Sequence, residues 1–212
     1  MAKKGNKTGE WARRHINDPY VKKATSQGFR SRAVFKLQEI DQQDKLIKSG
    51  MTVVDLGAAP GGWSQWAAKV LRGTGTVVAI DLLPMEPIAD VAFIQGDFQD
   101  IETLTQLDQT LNGRLIDLVI SDMAPNITGV RSVDEAQFEG LLDSVLEFCD
   151  QRLKPGGNLL VKLFEGSAAH HYRREVKSRF KRGVVRKPSA SRPKSREFYF
   201  VTLGHKPNSM NS

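Results

Sequence analysis

Val53-Val-Asp-Leu-Gly-Ala-Ala-Pro-Gly-Gly-Trp-Ser-Gln65 is the stretch on which the fold turns. The apolar run from Thr52 to Leu56 has the composition of a strand buried on both faces of a sheet, with Asp55 closing it. Gly57, Gly61 and Gly62 then punctuate a tight loop, and Trp63, Trp66, Ala67, Val70 and Leu71 recur at helical spacing. A strand, a glycine loop and a helix in this order bring backbone N–H groups and a helix N-terminus up to a nucleotide-like ligand.

The loop departs from the dinucleotide fingerprint at Ala59, which stands where the second glycine belongs, and Pro60 follows it. That glycine is what lets backbone approach a pyrophosphate. A ligand with an adenosine and no pyrophosphate, such as S-adenosylmethionine, fits better.

Working outward, Thr76 to Ile80 reads as a second strand ending at Asp81. Asp81 follows the loop by about twenty residues, where an acid receives ribose hydroxyls. Val91 to Gln95 is a third strand, followed by Gly96-Asp97-Phe98. Asp97 can accept from an exocyclic amine such as the adenine N6, or serve only as a turn residue. Leu115 to Ile120 is a fourth strand, and Ser121-Asp-Met-Ala-Pro-Asn126 stands at its C-terminal end, the ligand-binding edge of such sheets.

Helices separate these strands. Ser31 caps one that runs to about Gln43 and carries Lys36 between Phe35 and Leu37. Glu102 to Leu111 is another, and Val133 to Leu153 a longer one, stopped by Lys154-Pro155-Gly156-Gly157. Gly157 to Phe164 is a fifth strand with Lys162 inside it; a lysine there is costly to bury unless paired, and otherwise points out from an edge. Ala168 to Phe180 is a basic helix, and Val184 to Lys187 and Phe198 to Leu203 are two further strands. The fold class is therefore α/β: a Rossmann-like methyltransferase pattern with a mostly parallel seven-stranded sheet, one antiparallel strand, and helices on both faces.

Charge is distributed unevenly along the 212 residues. The net charge is +7, yet residues 1–36 carry +8, residues 170–212 carry +10 and the middle carries −11. Two basic arms around an acidic middle suit a polyanion on a domain whose small ligand is not one. Residues 1–30 are expected to form a basic, partly disordered RNA-binding extension. Its Trp11, Tyr20 and Phe29 interleave with Arg13, Arg14, Lys22, Lys23 and Arg30, or pack as a short helix. Residues 31–207 form the catalytic domain and 208–212 a tail. No apolar stretch is long enough for a membrane span. The single cysteine, Cys149, agrees with a reducing compartment, and a cytoplasmic location is expected, although the basic N-terminus also suits an import signal.

These residues carry a specific resemblance. Arg30-Ser-Arg-Ala-Val-Phe-Lys-Leu37, the glycine loop, Asp81-Leu-Leu-Pro-Met85, Gly96-Asp97-Phe98, Ser121-Asp-Met-Ala-Pro-Asn126, Val161-Lys-Leu-Phe164 and Ser195-Arg-Glu197 are similar, in order, to the FtsJ/RrmJ family of S-adenosylmethionine-dependent rRNA 2′-O-ribose methyltransferases. The resemblance implies a Lys36–Asp122–Lys162–Glu197 catalytic tetrad with Lys162 as proton acceptor. It implies cofactor contacts from Gly57, Gly61, Gly62, Trp63, Asp81, Asp97 and Asp122. It also implies a uridine target in the aminoacyl-tRNA loop of large-subunit (23S) rRNA, within the 50S subunit during assembly. A monomer with no obligate protein partner, no membrane association and no metal is expected.

Rival readings fare less well. C5-pyrimidine methylation needs a nucleophilic cysteine, and Cys149 sits within the long helix. Base-amine methylation expects a double proline and an aromatic after the fourth strand, which Asp122-Met-Ala-Pro125 lacks. His15, His170, His171 and His205 show no metal-ligand spacing. A tRNA 2′-O-methyltransferase and a catalytically silent RNA-binding assembly factor remain the alternatives.

Overall fold

The computed structural model describes residues 18–125, 127–192 and 195–206. Seven strands form one sheet: β1 (Thr52–Leu56), β2 (Thr76–Asp81), β3 (Val91–Gln95), β4 (Ile116–Ser121), β5 (Leu153–Phe164), β6 (Phe180–Arg186) and β7 (Glu197–His205). Their order is β3-β2-β1-β4-β5-β7-β6. The first five neighbours are parallel, and β7 runs antiparallel to both β5 and β6. The seven-stranded sheet with a single antiparallel strand is the expected one.

Among the described residues six helices accompany the sheet, the first two ahead of β1: α1 (Pro19–Ser26), α2 (Val34–Asp44), α3 (Gly62–Leu71), α4 (Ile101–Leu111), α5 (Arg131–Arg152) and α6 (Ser167–Arg179). All five residues of β1 are buried, so alternate side chains feed two cores. Val54 and Leu56 join the core beneath α4, α5 and α6, whereas Val53 joins that beneath α2 and α3. The strand order reverses between β1 and β4, which opens a crevice at their carboxyl ends.

Several boundaries differ from the sequence reading. The second helix begins at Val34 with Ala33, not Ser31, at its cap position; the Ser31 hydroxyl accepts from Ala33 N at 3.1 Å and closes a local turn ahead of the helix. Lys154-Pro155-Gly156-Gly157 lies inside β5, which starts at Leu153. The β4–β5 register shifts between Ile116 and Leu118, so the turn-like residues sit at an irregular strand entry. β6 starts at Phe180 and is longer than expected. Asp55 is an interior residue of β1, not its end.

Part of the N-terminal extension belongs to the packed domain. Asp18 caps α1 by accepting from Tyr20 N at 2.9 Å, and Pro19 sits at the first helical position. Ala24 is buried, and the Tyr20 and Phe29 rings lie 5.7 and 6.2 Å from Phe35. Trp11, Arg13, Arg14, His15, Asn126 and the 208–212 tail lie outside the described residues.

Candidate active site

Register builds the site. In the β5–β7 ladder, Lys162 stands opposite Tyr199 and Phe164 opposite Glu197. Lys162 and Glu197 therefore meet at one end of the sheet, although they stand 35 positions apart in the sequence. β4 ends beside β5 with Ser121 opposite Val161, which brings the next residue, Asp122, to Lys162. The fourth group, Lys36, comes from the first turn of α2 above the sheet.

The four side chains form two ion pairs. Lys36 Nζ lies 2.8 Å from Glu197 Oε1, with the two side chains 11% and 12% exposed. Lys162 Nζ lies 3.2 Å from Asp122 Oδ1 and also donates to the Asp122 carbonyl. Paired lysines so little exposed exclude the edge-lysine reading, since an unpaired ammonium would not be buried. Glu197 is pushed up by burial, but its hydrogen bond to Lys36 and the charges of Lys36 and Lys162 outweigh this and hold it below the usual carboxylate range.

Tyr199 joins the pairs and was missed in the sequence. Its hydroxyl donates to Asp122 Oδ1 at 2.6 Å, and Lys36 Nζ lies 5.5 Å from its ring centroid. Burial and the Asp122 charge raise the phenol well above its ordinary value, so it stays a donor. The available signal was strand period: Tyr199 follows Glu197 by two and shares its face. Trp63 supports the same assembly. Its indole N–H donates to Ala33 O at 2.8 Å and its ring packs 5.7 Å from Tyr199, which fixes the turn that carries Lys36.

A cleft of about 810 Å³ opens next to the tetrad, between the ends of β1, β2 and β3 and the face of α5. Its size suits a nucleoside-bearing cofactor. Gly57, Asp81 and Asp97 line it, together with Phe98 and Met123. Gly57 has φ +74°, and a Cβ there would collide with Met123, so only glycine keeps this floor open. Asp81 accepts from Ala59 N and Leu83 N, both at 2.8 Å, and so ties the glycine loop to the strand end it caps. Asp97 accepts from Gln99 N at 2.9 Å, the turn role foreseen for it, while it also lines the cleft.

The remaining loop residues lie behind this floor. Gly61, at φ +104°, caps α3, and a Cβ there would approach Met85 Sδ to 2.7 Å. Gly62 packs on Ser31, and the Trp63 side chain turns toward α2, so these residues have backbone to offer a ligand. Beneath the loop, Asp55 accepts from Ser64 Oγ at 2.6 Å. Burial pushes its carboxyl up to about 7; the Ser64 hydrogen bonds oppose that, and the charges of Asp122 and Asp81 reinforce it. Cys149 is buried and its thiol pushed up by burial, which is the state of a structural cysteine and not of a nucleophile.

Comparison with known proteins points the same way. The family model described as FtsJ-like methyltransferase matches residues 29–205. "Ribosomal RNA large subunit methyltransferase E" of Burkholderia multivorans is 54% identical over 203 residues, covering 90% of this chain and 92% of that protein. The protein of the same name from Burkholderia cenocepacia is 53% identical over the same span. A crystal structure from Plasmodium falciparum, described as a ribosomal RNA methyltransferase, superposes with a TM-score of 0.75 at 29% identity, covering 84% of this chain and 98% of that one.

Proposed function

This chain belongs to the FtsJ-like methyltransferase family, and on that premise we propose that it methylates the ribose 2′-hydroxyl of a uridine in large-subunit ribosomal RNA. It is an S-adenosylmethionine-dependent enzyme acting on ribosomal RNA. The uridine of the aminoacyl-tRNA loop in the 50S subunit is the target, and the enzyme acts there as a monomer in the cytoplasm. The observation that carries this reading is the pair of joined ion pairs, Lys36–Glu197 and Lys162–Asp122, with Asp122 next in the chain to Met123 of the cleft lining.

S-adenosylmethionine, when bound, supplies a methyl group already activated by its sulfonium. The cleft residues fit that group: Asp81 and Asp97 offer acceptors for ribose hydroxyls and an adenine amine, and Gly57 leaves the floor open; Gly61, Gly62 and Trp63 contribute only through the loop backbone behind that floor. Asp122 closes the methionine end and serves catalysis as well.

The protein's part is alignment and proton removal. A ribose hydroxyl is a weak acid and needs a base at the moment of attack. Lys162 Nζ acts from its uncharged amine form: its lone pair takes the hydroxyl proton as the oxygen bonds to the methyl, and Asp122 holds the resulting ammonium through both its carboxylate and its carbonyl. Glu197 holds Lys36 at the opposite side, where its charge faces the developing alkoxide.

Radiolabelled S-adenosylmethionine offered with unmethylated large subunits, free rRNA or tRNA tests the proposal. Label in the subunits at an alkali-resistant linkage is expected. Label confined to tRNA would replace the substrate, and label on a base would remove the tetrad mechanism.

A further inference from the structure

A second groove, of about 520 Å³, lies on the other side of the Leu82–Asp90 loop, between that loop and α3. Arg30, Lys69 and Arg72 line it against one acid, Asp90, and Phe29 and Gln65 form its floor. The Arg30 guanidinium is held by neutral carbonyls, Glu86 O at 2.6 Å and Pro87 O at 2.7 Å, so its charge is not cancelled by its partners. Lys69 Nζ rests 5.4 Å from the Phe29 ring centroid. Among the described residues, Lys69 and Arg72 form no ion pair with a carboxylate.

The groove is mechanically continuous with the active site. Gln65 Oε1 accepts from Arg30 N at 2.9 Å and Gln65 Nε2 donates to Gly28 O at 3.1 Å, which ties its floor to α3. Arg30 also reaches Pro60 O at 3.4 Å in the glycine loop. Phe29 packs edge-on against Phe35, the neighbour of Lys36.

We propose that this groove binds the backbone of a single-stranded RNA segment flanking the target nucleotide, an inference that rests on the RNA substrate proposed above. Three cations facing one acid attract a polyphosphate chain, and the partly buried Phe29 ring among them suits an unpaired nucleotide better than a smooth duplex. Duplex RNA would present a regular phosphate surface with its bases stacked inside and out of reach of Phe29.

The test uses the full chain and a fluorescent oligouridylate, titrated at several salt concentrations. Lys69→Glu/Arg72→Glu should weaken binding by about tenfold or more. Lys69→Gln/Arg72→Gln should make the log–log salt dependence shallower by about 1.4, two phosphates at about 0.7 each. S-adenosylmethionine affinity, read by calorimetry, stays at the wild-type value and reports that both variants are folded. Unchanged affinity and slope in the two folded variants, or no oligouridylate binding by the wild type, overturn the inference. Weaker methylation of subunits with oligouridylate binding intact also overturns it, in favour of an acidic protein surface. Charge-dependent oligouridylate binding by a wild type that labels no subunit supports the groove and places the failure in the reaction reading.

Discussion

The Tyr199 hydroxyl donates to Asp122 Oδ1 at 2.6 Å while its ring faces Lys36 Nζ at 5.5 Å, so one phenol touches both halves of the tetrad. Tyr199→Phe keeps the ring and removes only the hydrogen bond. A hydrogen bond to a charged acceptor is worth about 1.5–3 kcal/mol. Single-turnover methyl transfer should therefore slow by about ten- to a hundredfold, with the Lys36 side of the site and the fold retained. A rate within twofold of wild type would mean that Asp122 is positioned by Lys162 alone.

On the proposed mechanism, transfer depends most on Lys162. Lys162→Ala should lower turnover by about 10²–10⁴, the range of a lost general base. S-adenosylmethionine binding should remain nearly intact, because the cleft is lined by other residues. Lys162→Arg separates the two roles available to this side chain. Arginine keeps the charge facing Asp122 but does not act as a base, so that variant should be as slow as the alanine one. Recovery of turnover with arginine would show that a fixed cation suffices. Loss of cofactor binding in Lys162→Ala, seen by calorimetry, would make the lysine structural.

How far the sequence led follows from where each signal resides. Parallel strands buried on both faces read as continuous apolar runs, and so β1 and β2 were legible almost to the residue; β3 is an edge strand with only Ile94 buried, and its short apolar run alone marked it. The acids at their ends were legible because strand ends, loops and nucleoside hydroxyls have fixed spacings. Tyr199 was not, since its role depends on the β5–β7 register, and Trp63 was singled out as a cofactor contact while its support of the Lys36 turn, a contact between α2 and α3, was not. Local chemistry misled at Ser31 and at Lys154-Pro155-Gly156-Gly157, where cap and turn residues serve other geometry. Nothing in spacing alone would have joined Lys36 to Glu197; the family resemblance did, and their 2.8 Å contact agrees with it.

Gly57 tests the floor of the cleft. A Cβ there meets the Met123 side chain, and the positive φ adds roughly 1–2 kcal/mol of backbone strain for any L-residue. Gly57→Ala should weaken S-adenosylmethionine binding by tenfold or more, by roughly that strain plus the displaced thioether. Met123→Ala in the same chain removes the collision but not the strain, so it should restore part of the affinity. Calorimetric titration of the single and double variants measures both. Full affinity in Gly57→Ala alone would show that the loop yields without cost and that the cofactor lies elsewhere.

Asp55 links stability to pH with a sign opposite to that of Glu197. Its folded carboxyl is raised to about 7, above the ordinary 3.8, so between those values the folded chain holds a proton that the unfolded chain has released. Stability from this group is full below pH 4 and falls by about 1.4 kcal/mol for each pH unit up to about 7, where the loss levels off. Glu197, held below its usual range by Lys36, acts the other way: its contribution is present above its unfolded value and is lost as pH falls through the folded one. Asp55→Asn still accepts the Ser64 hydroxyl at the 2.6 Å site but carries no titrating proton. Urea unfolding across pH 4–7 should therefore show wild-type stability declining relative to Asp55→Asn, with the two converging toward the acid end. A constant difference across that window would mean that Asp55 is ionised throughout, which would require a cationic partner for a carboxylate that is 1% exposed.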